Sequence, residues 1–201
     1  MEYRLQLNFL SDWQISEGKD AQIYANNMVQ KDAQGLPFVS GKTLKGALRQ
    51  AFTLAETNAW FPAEQNDIVN VLFGRGDRDA LESQALLWLG RAQLAANEQA
   101  FFAQPEQRKY LYHTTSMMKM DAKTGTTAEG SLRTEEVTIP VTLYATLGFN
   151  TDHPYYLEHQ ALLDAHFRTW LSQCLPLIRT LGGKTNRGLG QLQLELMPDD
   201  R

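Results

Sequence analysis

The sequence has little cysteine, no long apolar run and no excess of positive charge, and each shortage removes a class of protein. One cysteine, Cys174, in 201 residues can build neither an internal disulfide nor a thiolate zinc cluster. No run approaches the roughly 18 consecutive apolar residues that a membrane-spanning helix needs. Met1-Glu2-Tyr3-Arg4 leads straight into a strand pattern, without the charged and apolar regions of a signal peptide. A cytoplasmic protein with no membrane contact is therefore expected. The formal net charge is −4, whereas a small protein covered by nucleic acid on all sides would be basic. Any nucleic-acid contact must then come from one local basic stripe. At 43% hydrophobic and 21% charged, the composition carries no disorder signature, and the length suits one domain over 1–201 with a long insertion.

What is present follows a regular order. Tyr3, Leu5, Leu7 and Phe9 alternate with polar residues, which predicts a half-buried strand over 3–9. Residues 11–37 read as a long polar loop, of a length that is often functional. Ser40 is placed to N-cap a helix running to about Trp60, with Leu44, Leu48, Ala51, Phe52 and Ala55 on one face. A shorter helix over 64–73 ends at Gly74. Residues 84–95 read as a second strand, 96–135 as a polar insertion outside the core, and 136–149 as a third strand with Pro140 near its start. A helix over 155–181, with Pro176 as a kink, stops at Gly182-Gly183. Leu192, Leu194 and Leu196 alternate as a last strand. This order predicts an α+β fold: a ferredoxin-like (RRM-like) βαββαβ core with a long insertion between its second and third strands.

Two Gly-Lys-Thr tripeptides, at Gly41 and Gly183, invite a nucleotide-binding reading. A Walker loop needs a glycine five positions earlier, where Leu36 and Ile178 stand. The first tripeptide instead opens the helix on which Lys42, Lys45 and Arg49 fall within about 60° of one another, with Gly46 on the same side. Such a stripe suits a phosphodiester chain near the positive helix N-terminus, although on this helix alone a solvated face is the better account of three cations. The second segment shifts the balance. Gly182, Gly183, Gly188 and Gly190 crowd into nine residues with Lys184 and Arg187, more glycine than a simple turn requires and suited to close ligand approach. His113, His153, His159 and His166 lack metal-ligand spacing, and no metal or other cofactor is expected. No Ser-His-Asp or Cys-His arrangement stands out.

Together these segments resemble the RAMP superfamily of CRISPR-associated RNA-binding proteins. The run Leu36-Pro37-Phe38-Val39-Ser40-Gly41-Lys42-Thr43-Leu44-Lys45-Gly46-Ala47-Leu48-Arg49 is similar to the family's Pro-hydrophobic-x-Gly-Ser-Ser-Leu-Lys-Gly-x-x-Arg helix start. Leu72-Phe73-Gly74 resembles its hydrophobic-Phe-Gly marker, the Gly182–Gly190 stretch its glycine-rich loop, and residues 124–136 the insertion that forms its thumb hairpin. The resemblance implies a guide (CRISPR) RNA-binding backbone subunit of a type III effector complex in antiviral defence. Its partners would be guide RNA, complementary target RNA, neighbouring copies of itself and other CRISPR effector subunits. Lys42, Lys45, Gly46, Arg49, Gly182, Gly183, Lys184, Arg187 and Gly188 would hold guide phosphates. A thumb carrying Lys119, Lys123 and Arg133 would wedge into the guide–target duplex.

Cleaving members of this subgroup use an aspartate in a segment reading Asp-x-Pro-Val-x-Lys/Arg-Asp. Here the segment is Asn26-Asn27-Met28-Val29-Gln30-Lys31-Asp32. Val29, Lys31 and Asp32 match, but Asn26 holds the aspartate's place, and an amide provides no carboxylate. The resemblance thus implies RNA binding without target cleavage. The alternatives are a metal-dependent endoribonuclease using Asp20 or Asp32 with Mg2+, a guide-processing enzyme using His113, and a single-copy capping subunit.

Overall fold

The computed structural model describes residues 2–16, 29–62, 67–75, 84–117 and 133–198. Four strands form the main sheet: β1 (Glu2–Phe9), β2 (Leu87–Leu89), β5 (Thr142–Phe149) and β6 (Leu192–Leu196), in the order β2-β5-β1-β6. All three pairings are antiparallel, with Leu5 opposite Ala145 on one side and Leu196 on the other. A second, two-stranded antiparallel sheet joins β3 (Tyr112–Met117) to β4 (Arg133–Thr138). The helices are α1 (Gly41–Thr57), α2 (Ile68–Phe73), α3 (Ala96–Phe102), α4 (Pro105–Arg108) and α5 (Tyr156–Cys174). None of these is long and apolar enough to cross a membrane.

The period-two pattern of β1 has its expected cause. Tyr3, Leu5, Leu7 and Phe9 are buried, and each such side chain contributes roughly 1.5–3 kcal/mol by leaving water. They pack beneath α1 and α5, where Phe167 lies 5.2 Å from the Tyr3 ring, 4.8 Å from Phe149 and 6.2 Å from Phe52. Ser40 caps α1 as its sequence position predicts, its hydroxyl accepting from the Thr43 N–H at 3.1 Å. Cys174 is fully buried, and burial pushes its thiol up to about 12.

Several boundaries differ from expectation, each for a physical reason. The second strand is three residues long, with only isolated bridges at Ala92 and Gln93 beyond it. The stretch from 136 to 149 is two strands, because Ile139-Pro140-Val141 separates β4 from β5 and Pro140 has no N–H for a ladder. The α-helix expected to 181 ends at Cys174 and tightens into a 3₁₀ turn over Leu175–Leu177, since Pro176 cannot donate to the carbonyl four residues back. The insertion over 96–135 opens with two short helices and a fully buried Leu111, so its first part belongs to the core. The loop over 11–37 is not uniformly polar. Trp13 is completely buried, Ile15, Val29 and Leu36 nearly so, and bridges link Trp13 to Thr138 and Ser16 to Val29.

Two glycines of α1 play opposite structural parts. A Cβ at Gly41 would stand 2.2 Å from the Leu89 carbonyl oxygen, whereas one at Gly46 would meet nothing within 4 Å. Gly41→Ala is expected to destabilise the protein by about 1–3 kcal/mol through overpacking against β2. Gly46→Ala is expected to stabilise it by about 1 kcal/mol through helix propensity alone. Urea denaturation of the two variants checks both signs.

Candidate nucleic-acid interface

The cations of α1 do not share one environment. Lys42 is exposed one turn before Gly46. Lys45 is half-buried, and its ammonium donates to the Leu87 carbonyl of β2 at 2.9 Å. Burial first, then the Arg49 guanidinium, hold the Lys45 pKa below the ordinary lysine range. Arg49 is also half-buried, its guanidinium 3.4 Å from Asn70 Oδ1 on α2. The three cations grouped by helical spacing thus differ in their partners. Helical spacing places them on the polar side, but that side borders a sheet edge and α2, which offer oxygen acceptors. Beside Lys42 and Lys45 an open cavity of about 560 Å³ is bounded by Trp88, Leu89 and Asn150. Trp88 keeps 37% of its surface exposed.

The glycine-rich segment has different neighbours. It folds as a 3₁₀ turn over Thr185–Arg187 flanked by left-handed backbone at Gly182 (φ 105°), Lys184 (φ 58°), Gly188 (φ 85°) and Gly190 (φ 70°). A Cβ at Gly182 would lie 2.5 Å from the Gln14 carbonyl oxygen, and one at Gly190 2.1 Å from that of Leu181, so these two glycines serve the fold itself. A Cβ at Gly183 would have ordinary room, and one at Gly188 would meet nothing within 4 Å among the described residues. The Gly183 N–H donates to the Gln14 carbonyl and the Gly190 N–H to that of Asp12, both at 2.8 Å. Lys184 pairs with the buried Glu135 of β4, and Arg187 is exposed.

Polar residues gather at the base of the β3–β4 hairpin, among them Glu136, Tyr112 and Asp12, which the sequence did not single out. Glu136 receives the Lys31 ammonium at 2.7 Å and the Val29 N–H at 3.2 Å. The same ammonium stands 4.1 Å from the Tyr112 ring centroid. The Tyr112 hydroxyl donates to the Gly35 carbonyl at 2.7 Å, and burial, then the charges of Glu136 and Asp32, push its pKa above the ordinary phenol range. Asp12 Oδ2 lies 2.9 Å from His113 Nε2. Neither Glu135 nor Glu136 leaves a sequence signal, because their partners are distant in the chain.

Asp32 is engaged in the turn before α1, where its Oδ1 accepts from the Gln34 and Leu36 N–H groups at 2.8 and 2.9 Å. Asp20, Asn26, Lys119 and Lys123 lie outside the described residues, and Arg133 opens β4 opposite Met117. The remaining histidines have packing surroundings. His153 is 5% exposed, with Nε2 3.1 Å from the Gln84 carbonyl and Nδ1 accepting from the Tyr155 N–H at 3.2 Å. His166 stacks on Trp170, and His159 meets the edge of Tyr155. Among the described residues no group of three or more His, Cys, Asp or Glu side chains could hold a metal ion.

The environment of Lys45 gives a pH dependence of definite sign. Its folded pKa lies below 10.5, so between the two values the unfolded chain binds more protons and stability rises with pH. Lys45→Met is expected to flatten this rise relative to wild type. Lys45→Glu, which places a carboxylate beside the Leu87 carbonyl, is expected to destabilise the fold at neutral pH. Denaturation midpoints across neutral to alkaline pH check both.

A family model of the RAMP superfamily matches residues 7–193. Solved chains that share the fold include two from type III-B Cmr-beta structures. One belongs to a type III-B Cmr-beta cryo-EM structure in the apo state, with a TM-score of 0.66 at 12% identity, covering 99% of this chain and 98% of that one. The other belongs to type III-B Cmr-beta bound to cognate target RNA, with a TM-score of 0.67 at 12% identity, covering 98% and 97%. At that identity the likeness is one of fold. No curated protein matches the sequence.

Proposed function

The chain belongs to the RAMP superfamily, and from this premise we propose that it is a guide-RNA-binding backbone subunit of a type III CRISPR effector complex, without target cleavage of its own. The observation that carries the reading is the solvent-facing turn of α1 at Lys42 and Gly46. A helix-interior glycine is about 1 kcal/mol less favourable than alanine. At Gly46 no contact among the described residues accounts for it, since a Cβ there would meet nothing within 4 Å. A sugar–phosphate backbone lying on the helix does account for it, with Lys42 as its counter-charge. Trp88, exposed beside Lys42, adds a face on which a base can stack whatever its identity.

The finer architecture fits this reading. The order β2-β5-β1-β6, with α1 between β1 and β2 and α5 between β5 and β6, supports the proposed ferredoxin-like βαββαβ core. The β3–β4 hairpin, emerging between the second and third strands of that core, is the proposed thumb. Its partners would be guide RNA, a complementary target and adjacent effector subunits, a reading supported by structural neighbours that are type III-B Cmr-beta chains, one of them bound to cognate target RNA.

Two features argue against cleavage. Asn26 stands at the family's aspartate position, and the Asp32 carboxylate already accepts two backbone N–H bonds in its turn. Asp32→Ala would therefore remove a structural acceptor whether or not the residue has any catalytic part.

Binding is tested with Lys42→Ala and Gly46→Ala on single-stranded guide RNA. Lys42→Ala is expected to weaken binding and lower the log–log salt slope by about 0.7. Gly46→Ala is expected to weaken binding while raising stability, and unchanged affinity in both variants would return this face to solvent. Cleavage is tested on a guide-matched target in magnesium, where wild type is expected to leave the RNA intact. Cutting by the unmodified protein would refute the non-cleaving assignment, and Asn26→Asp is the substitution that restores the missing carboxylate.

A further inference from the structure

Glu135 and Glu136 are consecutive on β4, so their side chains leave opposite faces of the hairpin. Each meets a lysine from a different loop. Glu135, 5% exposed, pairs with Lys184 of the glycine-rich turn. Glu136 pairs with Lys31 and the Val29 N–H of the segment before α1. Gln14 closes the arrangement. Its side-chain amide donates to the Glu136 carbonyl at 3.2 Å, and its own carbonyl accepts from Gly183 at 2.8 Å. A ring therefore runs from β4 through Gln14 and Gly183 to Lys184 and back to β4.

Lys184 adopts φ 58°, a left-handed conformation that costs a non-glycine residue energy and persists where surrounding contacts enforce it. Here the Gly183 N–H is fixed on the Gln14 carbonyl and the Lys184 carbonyl accepts from the Arg187 N–H, while the pair with Glu135 fastens the side chain that this backbone turn presents. Were Lys184 to turn to a phosphate, the Glu135 carboxylate would stay buried without its cation, which is strongly unfavourable.

We propose that β4 is a two-sided acidic clamp in which Glu135 and Glu136 are positioning residues, and in which Lys184 is a strut that fixes the glycine-rich turn to the hairpin and makes no phosphate contact. The proposal rests on the RNA-binding reading above for its functional consequence: the clamp sets the register between the loop, the hairpin and the RNA they flank. It removes Lys184 from the phosphate ligands that the sequence suggests.

The experiment compares Lys184→Met, Glu135→Gln and the double variant, in urea unfolding without RNA and in binding to a fluorescent single-stranded RNA oligonucleotide across a salt series. Each single variant is expected to weaken RNA binding by about tenfold. The double variant is expected to be no worse than the poorer single, and all salt slopes to stay at the wild-type value because no phosphate contact is lost. The charge-swapped variant Glu135→Lys with Lys184→Glu is expected to recover binding toward wild type, which separates a lost pair from a damaged fold. A fall in slope of about 0.7 for Lys184→Met, with Glu135→Gln leaving affinity unchanged, would make Lys184 a phosphate ligand and overturn the proposal. Strict additivity of the two singles in unfolding would overturn it without reference to RNA. If wild type fails to bind the oligonucleotide, the RNA reading falls, while the unfolding cycle still decides whether the clamp exists.

Discussion

The burial of one side chain, Trp13, underlies the geometry of the β3–β4 hairpin and the glycine-rich turn beside it. Its indole stacks on Phe9 at 4.4 Å and donates to the Ile139 carbonyl, while its backbone exchanges both hydrogen bonds with Thr138. The exit of β1 is thereby tied to the end of β4. A buried tryptophan removes about 150–250 Å² from water, so this contact outweighs any single hydrogen bond nearby. The residues on either side of it, Asp12 and Gln14, then supply the carbonyls on which the glycine-rich turn hangs. A surface loop that has few apolar contacts of its own is held by a neighbour that has many.

Charge is arranged in the same economical way. The chain is acidic overall, and several of the lysines that look available in sequence already have internal partners. Lys31 and Lys184 hold the hairpin, and Lys45 reaches the carbonyl of β2. The basic character of the interface is thus narrower than a residue count suggests, and it depends on which cations keep their charge turned outward. Lys42, at the exposed start of α1, is such a cation.

Legibility in the sequence follows the range of the interactions involved. The strand β1, the capped start of α1 and the alternation of β6 were readable because each depends on neighbours within a few residues. The break at Pro140 was hidden inside a β-branched run. The end of α5 at Cys174 was obscured by Leu177 and Leu181, which continue a helical spacing after the helix has stopped. The inward course of Lys45 and Arg49 was not readable, because periodicity assigns a face but does not say what borders it. Glu135 and Glu136 were passed over for a related reason. Two acids in a polar stretch look solvated until the fold brings Lys184 and Lys31 to them from opposite directions along the chain.

The position of β1 between β5 and β6 has a consequence for how the chain is made. Leu5 pairs with Ala145 and with Leu196, so once β1 has left the ribosome it finds its partners only after β5 and β6, far along the chain, have been synthesised. At about 5–20 residues per second, β1 spends on the order of ten seconds with its leucines and aromatics uncovered and both edges open. During that interval the nascent strand is a template for any other extended segment, including the same strand on a neighbouring chain. Its alternate charged and polar residues, Glu2, Arg4, Gln6 and Asn8, are what keep it soluble while it waits.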